Sequence, residues 1–150
     1  MTGVQTCALP IWFYGANLCF TASYLDKPLA DRLADRLAAS GYNAVRVHHY
    51  ESTLCSQAAP DSLTFDPASL DRLEYLIAAL KQRGIYLTTD LFVSRRIRPA
   101  EVEDGGDQMD NYKMAVLVGP KARANLKAFA TKLLSHVNPY TGMADRKSVV

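Results

Sequence analysis

Hydrophobic positions along this chain follow two periods, one typical of buried strands and the other typical of amphipathic helices. Three short apolar runs, at residues 13–20, 43–48 and 85–92, have the strand character. Longer segments between and after them place apolar residues three or four positions apart, which predicts helices. The predicted order is strand, helix, strand, helix, strand, long loop and helix.

The first two helices have matching start and stop signals. Asp26 and Asp66 are each placed to cap a helix with a proline in its first turn, and Gly41 and Gly84 suit the left-handed residue that ends one. Pro120 opens the last helix. The expected apolar faces are, in chain order, Leu29, Leu33 and Leu37 with Ala30, Ala34 and Ala38 beside them; Leu70, Leu73, Leu76, Ile77 and Leu80; and Leu126, Phe129, Ala130, Leu133, Leu134 and Val137.

Strands that alternate with helices at this spacing predict βαβ units with a parallel sheet, an α/β fold. The links after helices are short and the links after strands are long, which favours a functional site at the carboxyl ends of the strands. No Gly-rich phosphate loop follows the first strand, which argues against a Rossmann nucleotide site. The pattern alone leaves both a closed barrel and an open doubly wound sheet as alternatives.

The two ends of the chain are expected to be foreign to the fold. Residues 1–11 resemble the translation of a common sequencing-library adapter read from a GTG start codon, and residues 145–150 resemble the opposing adapter. The native sequence is then expected to be about residues 12–144, part of one domain. With the native N-terminus missing, the sequence predicts no localisation.

Composition is typical of a globular domain, with 49% hydrophobic and 21% charged residues. The formal net charge of +2 includes Arg146 and Lys147 in the closing run, so the remainder is close to neutral and predicts neither nucleic acid nor an anionic membrane as partner. Cys19 and Cys55 lack the spacing of a zinc site and are expected to be free thiols. Neither a cofactor nor an oligomeric state is indicated.

The second strand ends with the most informative residues. Arg46 and His48 share one face of the strand by two-residue alternation, while Val45 and Val47 share the other. A guanidinium on an apolar strand is costly to bury unless it is paired. Arg46 is therefore expected either to form a local salt bridge at the rim or, with His48, to bind a polar or anionic group at a functional site.

Asp90, at the end of the third strand, is expected to pair with Arg46, cap the next turn or face substrate. His48 and His49 also invite a metal site, but adjacent strand residues point to opposite faces, so no metal is predicted. Tyr50 and Tyr112, in loops after strands, are candidates for stacking on a ring of a ligand. The pair Arg95–Arg96 and the acidic run 101–107 are expected to be solvated loop charge.

Three longer phrases resemble one enzyme family. GYNAVRVHHYE at residues 41–51, the run from FDPASLDRLEY to YLTTDL at residues 65–91, and LLSHVNPYTG at residues 133–142 are similar to the cellulase-like enzymes of glycoside hydrolase family 5. The resemblance covers nearly all of residues 13–144. It implies the N-terminal part of a (β/α)8 TIM barrel, with about three βα units present and truncation before strand 4.

The resemblance also implies retaining hydrolysis of β-glycosidic bonds in a carbohydrate substrate by two glutamates. In the family these follow strands 4 and 7, so this chain is expected to contain no catalytic residue and to be inactive. Arg46 matches the arginine that helps hold the nucleophile, and His48 and His49 match a histidine pair near the sugar. Many members have Asp-Leu-His after the third strand, whereas this chain has Phe92 in place of the histidine, which leaves cellulose specificity open.

Two alternatives to a β-glycosidase remain open at this point. One is a barrel that binds carbohydrate without catalysis, and the other is a metal-dependent TIM-barrel hydrolase. A glutamate after an asparagine on the fourth strand of the parent gene would favour the enzyme.

Overall fold

A computed structural model describes residues 12–144, and the expected adapter-derived runs lie outside the described residues. Three parallel strands form the central sheet in the order β1 (Gly15–Cys19), β2 (Ala44–His48) and β3 (Tyr86–Thr89). Helix α1 (Lys27–Ala39) connects β1 to β2, and the short helix α2 (Glu51–Leu54) and the longer α3 (Pro67–Gln82) lie between β2 and β3. The parallel βαβ arrangement predicted from the sequence is confirmed.

The capping residues explain where α1 and α3 begin and end. The Asp26 carboxylate accepts the backbone N–H of Leu29 at 2.8 Å, and Asp66 accepts that of Ser69 at the same distance. Gly41 and Gly84 have φ angles of 81° and 70°, a left-handed conformation that glycine adopts without a side-chain penalty. These turns return the chain to the sheet within a few residues. The long loops therefore all follow the carboxyl ends of the strands, which lie together at one end of the sheet.

The main core lies between the sheet and the helices. Val45 and Val47 of β2 are fully buried against α3, whose residues Leu76 and Leu80 are also fully buried, as the sequence predicts. On α1, Ala30, Ala34 and Leu37 form the buried face, and Leu33 is partly buried against the core. The alanines allow α1 to pack closely beside α3. The expected apolar face is therefore confirmed except at Leu29, which is 41% exposed, and at Ala38, which is also exposed.

The region after β3 is more structured than the expected long loop. It contains a short 3-10 turn (Pro99–Glu101) and the helix α4 (Met109–Val118), which packs against α5 (Pro120–Ser135). Leu117 and Val118 are 67% and 82% exposed, so α4 lacks the apolar stripe by which the sequence would reveal it. A second buried cluster, Ile97, Val102, Tyr112 and Ala122, joins this region to α5.

The end of α5 also differs from the prediction. Val137 was expected on its buried face but is 57% exposed in β4 (Val137–Asn138), which pairs antiparallel with β5 (Met143–Ala144). Asn138 explains the turn, because its buried amide donates to the carbonyl of Glu74 at 2.9 Å and its Oδ1 accepts the N–H of Tyr140. This hairpin is separate from the parallel sheet. Among residues 12–144, no helix has the length and apolarity needed to cross a bilayer.

The three-stranded sheet has open edges, which predicts how the 150-residue chain behaves alone. Within the described residues, β1 and β3 each pair on one side only, and Trp12, Phe13 and Tyr14 beside β1 are 87%, 60% and 58% exposed. Unpaired strand edges next to exposed aromatic residues favour association. We expect the expressed chain to elute as aggregate, bind a hydrophobic dye and unfold without a cooperative transition; a monomer with a single sharp melting transition would contradict this.

Candidate functional site

Arg46, His48 and Asp90 meet at the carboxyl ends of β2 and β3. Both Nε and Nη2 of Arg46 donate to Oδ1 of Asp90, at 3.2 and 3.0 Å. The other carboxylate oxygen, Oδ2, is hydrogen-bonded to Nδ1 of His48. Strand alternation accounts for the arrangement, because Val45 and Val47 fill the core while Arg46 and His48 face away from it. The expected pairing of Arg46 with Asp90 is present, and His48 joins it.

The electrostatics of this cluster favour an ionised Asp90. Partial burial raises the pKa of its carboxyl, but the hydrogen bonds from His48 and Arg46 and the positive charge of Arg46 outweigh that effect and leave the pKa below its ordinary value. Asp90 therefore acts as a fixed anion that orients two cationic or polar side chains. Arg46 remains 44% exposed, so part of its guanidinium is free to bind a ligand.

Tyr50 and Tyr112 are fully buried, so neither presents a ring face on which a sugar could stack. The stacking prediction is wrong for both rings in this structure. The Tyr50 hydroxyl donates to the backbone carbonyl of Asp90 at 2.8 Å and so helps to position Asp90. The Tyr112 hydroxyl instead donates to Oδ1 of Asn125 at 2.9 Å, within the second core cluster.

His49 lies on the same side as His48, contrary to the expectation from strand alternation. The strand ends at His48, and His49 adopts a left-handed conformation with a φ angle of 51°, which brings the two ring centroids within 4.0 Å. On its other side the His49 ring stacks on Phe20 at 4.8 Å and an interplanar angle of 14°. Across residues 12–144, no group of three histidine, cysteine or acidic side chains is arranged to hold a metal ion.

Phe20 is a candidate site residue that the sequence reasoning missed. It follows β1 directly, has a φ angle of 53° and is 57% exposed. The pattern assigned it to the end of the first strand, because an aromatic residue there fits a buried strand as well as a ligand surface. No signal in the sequence separates the two, because the end of β1 at Cys19 is seen only in the structure. Phe92, 38% exposed, also lies beyond its strand, since β3 ends at Thr89.

Two buried charged side chains, one after β2 and one after β3, were not predicted. Glu51 is fully buried and its carboxylate accepts the backbone N–H groups of Val93 and Ser94 at 2.8 and 2.7 Å, which ties the loop after β2 to the loop after β3. Arg95, expected to be solvated, is 1% exposed and donates to the hydroxyls of Ser62 and Tyr112 at 2.7 and 2.9 Å. Arg96, its neighbour, is exposed as expected.

Comparisons with known proteins find similarity in structure. Neither a protein-family model nor a curated protein sequence matches the chain. An endo-beta-1,4-mannanase from Thermotoga petrophila matches with a TM-score of 0.63 at 21% identity, over 91% of this chain and 32% of that one. An endo-1,4-beta-mannanase from Rhizomucor miehei matches with a TM-score of 0.61 at 17% identity, over 91% and 41%.

A third structure, the hyperthermostable endo-1,4-beta-D-mannanase from Thermotoga petrophila RKU-1, matches with a TM-score of 0.57 at 18% identity, over 92% of this chain and 43% of that one. The chain thus spans between about a third and two fifths of the length of these structures. At these identities the likeness concerns the fold. The chain therefore has the fold of part of a (β/α)8 barrel, similar to that of endo-β-1,4-mannanases.

Proposed function

We propose that this chain is part of a retaining β-glycosidase that hydrolyses O-glycosyl bonds in a β-linked polysaccharide or oligosaccharide. The observation that supports the proposal best is the cluster of Arg46, His48 and Asp90 at the carboxyl edge of the sheet, in a fold shared with mannanases. Barrel enzymes place their active sites at this edge. The parent protein, meaning the full-length product of the gene, would supply both catalytic glutamates from sequence beyond residue 144.

In the proposed enzyme the described residues bind and orient the sugar. A retaining mechanism needs two carboxyl groups about 5–5.5 Å apart, one attacking the anomeric carbon and one protonating the leaving oxygen. Arg46, held by Asp90, donates its remaining N–H groups to the nucleophilic carboxylate or to a sugar hydroxyl. His48 and His49 form the adjoining wall, and the exposed Phe20 ring offers an apolar face for a pyranose ring.

The DNA itself provides the first test. The gene is sequenced from the source DNA beyond codon 144. We expect the adapter-like ends to be absent from that sequence, and we expect a fourth barrel strand to end in Asn-Glu. Any residue other than glutamate at that position would refute the proposed enzymatic activity and favour a barrel that only binds carbohydrate.

Enzymatic assay of the parent protein provides the second test. We expect it to release reducing ends from β-1,4-mannan, which is tried first because the similar structures are mannanases. Proton NMR of the initial product should show retained anomeric configuration. Glutamine in place of the predicted acid/base glutamate is the matched control, and equal activity in that variant or an inverted product would contradict the mechanism.

A further inference from the structure

A cavity formed by the loops after β2 and β3 is lined by three arginines from one short segment. Arg95, Arg96 and Arg98 border a space of about 740 Å³, together with Gln57, Gln108 and Asp107. Among the described lining residues Asp107 is the one acid, so three arginines against one aspartate give the lining a formal charge of +2. The segment begins five residues after Asp90 in the sequence. Ser94, which also lines the cavity, donates its hydroxyl to the carboxylate of Glu51, three residues after His48.

The acidic residues nearest in the network are engaged elsewhere. The carboxylate of Glu51 accepts two backbone N–H groups and the hydroxyl of Ser94. That of Glu101 accepts the backbone N–H groups of Ser62 at 2.9 Å and Arg98 at 2.8 Å. Between residues 12 and 144, no carboxylate forms an ion pair with the side chain of any of the three arginines. The three guanidinium groups therefore lack a directly paired carboxylate within the described residues, and Asp107 offsets only one of their three charges.

Arg95 shows that this charge is built into the fold. Its guanidinium is buried, lies 4.4 Å from the ring centroid of Phe129, and is fixed by the neutral hydroxyls of Ser62 and Tyr112. Its Nε has no hydrogen-bond partner within the described part of the chain. A buried cation with neutral partners and an unused donor is costly, and a nearby anion lowers that cost.

Arg98 and Arg96 complete the wall from the solvent side. The Arg98 guanidinium donates to the carbonyls of Gln57 and Ala59 at 3.3 and 3.2 Å, which orders the rim without neutralising its charge. Arg96 is exposed to solvent. Guanidinium groups match the planar oxygens of carboxylates and the tetrahedral oxygens of sulfate esters better than any other side chain.

We propose that this cavity binds an acidic sugar unit, a uronic acid or a sulfated sugar, of the β-glycan substrate. That the bound unit belongs to the substrate rests on the proposed function. That the bound unit is anionic rests on the cavity alone. Its volume falls in the range of small-molecule sites and exceeds what a free oxyanion fills. Gln57 and Gln108 supply neutral donors and acceptors suited to sugar hydroxyls.

The test uses the parent protein and three probes, namely D-glucuronate, D-glucose and inorganic sulfate. Calorimetric titration at low ionic strength should detect glucuronate, with glucose binding weaker and sulfate competing poorly. Arg96→Gln removes one exposed charge without disturbing the core and should weaken glucuronate binding by about tenfold, the loss expected for one charge-assisted hydrogen bond. Arg32→Gln, which neutralises an exposed arginine on α1, is the matched control and should leave binding unchanged.

Each result separates this inference from the proposed function. Glucuronate that binds no better than glucose, or binds Arg96→Gln as tightly as the wild type, would overturn the acidic-sugar site even if the parent protein hydrolyses neutral mannan. Sulfate that binds as tightly as glucuronate would reduce the cavity to a free-anion site and overturn the sugar assignment. Glucuronate binding lost in Arg96→Gln would support the site even in a parent protein without glycosidase activity, in which case only the proposed function fails.

Discussion

Replacement of Asp90 by alanine in the parent protein is expected to lower kcat/KM on β-glycan by about a hundredfold, because a displacement near 1 Å of a positioning group costs roughly that much. Asp90 holds Arg46 through two hydrogen bonds to one oxygen and His48 through the other. Without it, the guanidinium loses its anchor and the imidazole loses the partner of Nδ1. Most of the loss is expected in kcat, because the groups that Asp90 orients are those proposed to contact the reacting sugar.

The control for this variant is an ion pair of similar length outside the site. Asp35 on α1 pairs with Nε of Arg83 at 2.6 Å, and its side chain is 67% exposed. Alanine at Asp35 removes one carboxylate and one salt bridge, a change worth at most about 1 kcal/mol at a surface, and kinetics should be unaffected. An Asp90→Ala protein that retains the kcat/KM of Asp35→Ala would show that Asp90 has only a structural role.

Local patterns predicted much of this fold and part of the site. Two-residue alternation placed Val45 and Val47 in the core and Arg46 and His48 on the other face, which depends only on strand geometry. The caps and the terminal glycines of α1 and α3 were readable because each acts within one helical turn. The pairing of Arg46 with Asp90 required only that adjacent parallel strands end at one edge.

The features that the sequence hid depend on contacts distant in the chain or on backbone exceptions. His49 faces His48 because one residue adopts a positive φ angle, which no periodicity reveals. Arg95 looks like loop charge until Ser62, Tyr112 and Phe129 are brought around it from three separate segments. Helix α4 was missed because its exposed apolar residues produce no amphipathic stripe.

Replacement of Glu51 by alanine is expected to lower the free energy of unfolding of the parent protein by about 3 kcal/mol, since each buried donor left unsatisfied costs about 1–3 kcal/mol. The fully buried carboxylate is the acceptor for the N–H groups of Val93 and Ser94 and for the Ser94 hydroxyl. Among the described residues, neither amide has another hydrogen-bond acceptor. Urea denaturation followed by circular dichroism measures the change.

Glutamine at the same position should destabilise by less, because one oxygen remains to accept an amide while the new NH2 group confronts the other. Alanine at the exposed Asp104 removes one negative charge from the same region and is the control for net charge. Equal urea midpoints for Glu51→Ala and Asp104→Ala would contradict the proposed bridge from Glu51 to the amides of Val93 and Ser94.

The same variant also tests the cavity lined by Arg95, Arg96 and Arg98. Because Ser94 lines that cavity, Glu51→Ala should weaken glucuronate binding as well, although residue 51 lies outside the cavity lining. Loss of stability without loss of glucuronate binding would separate the bridge from the cavity.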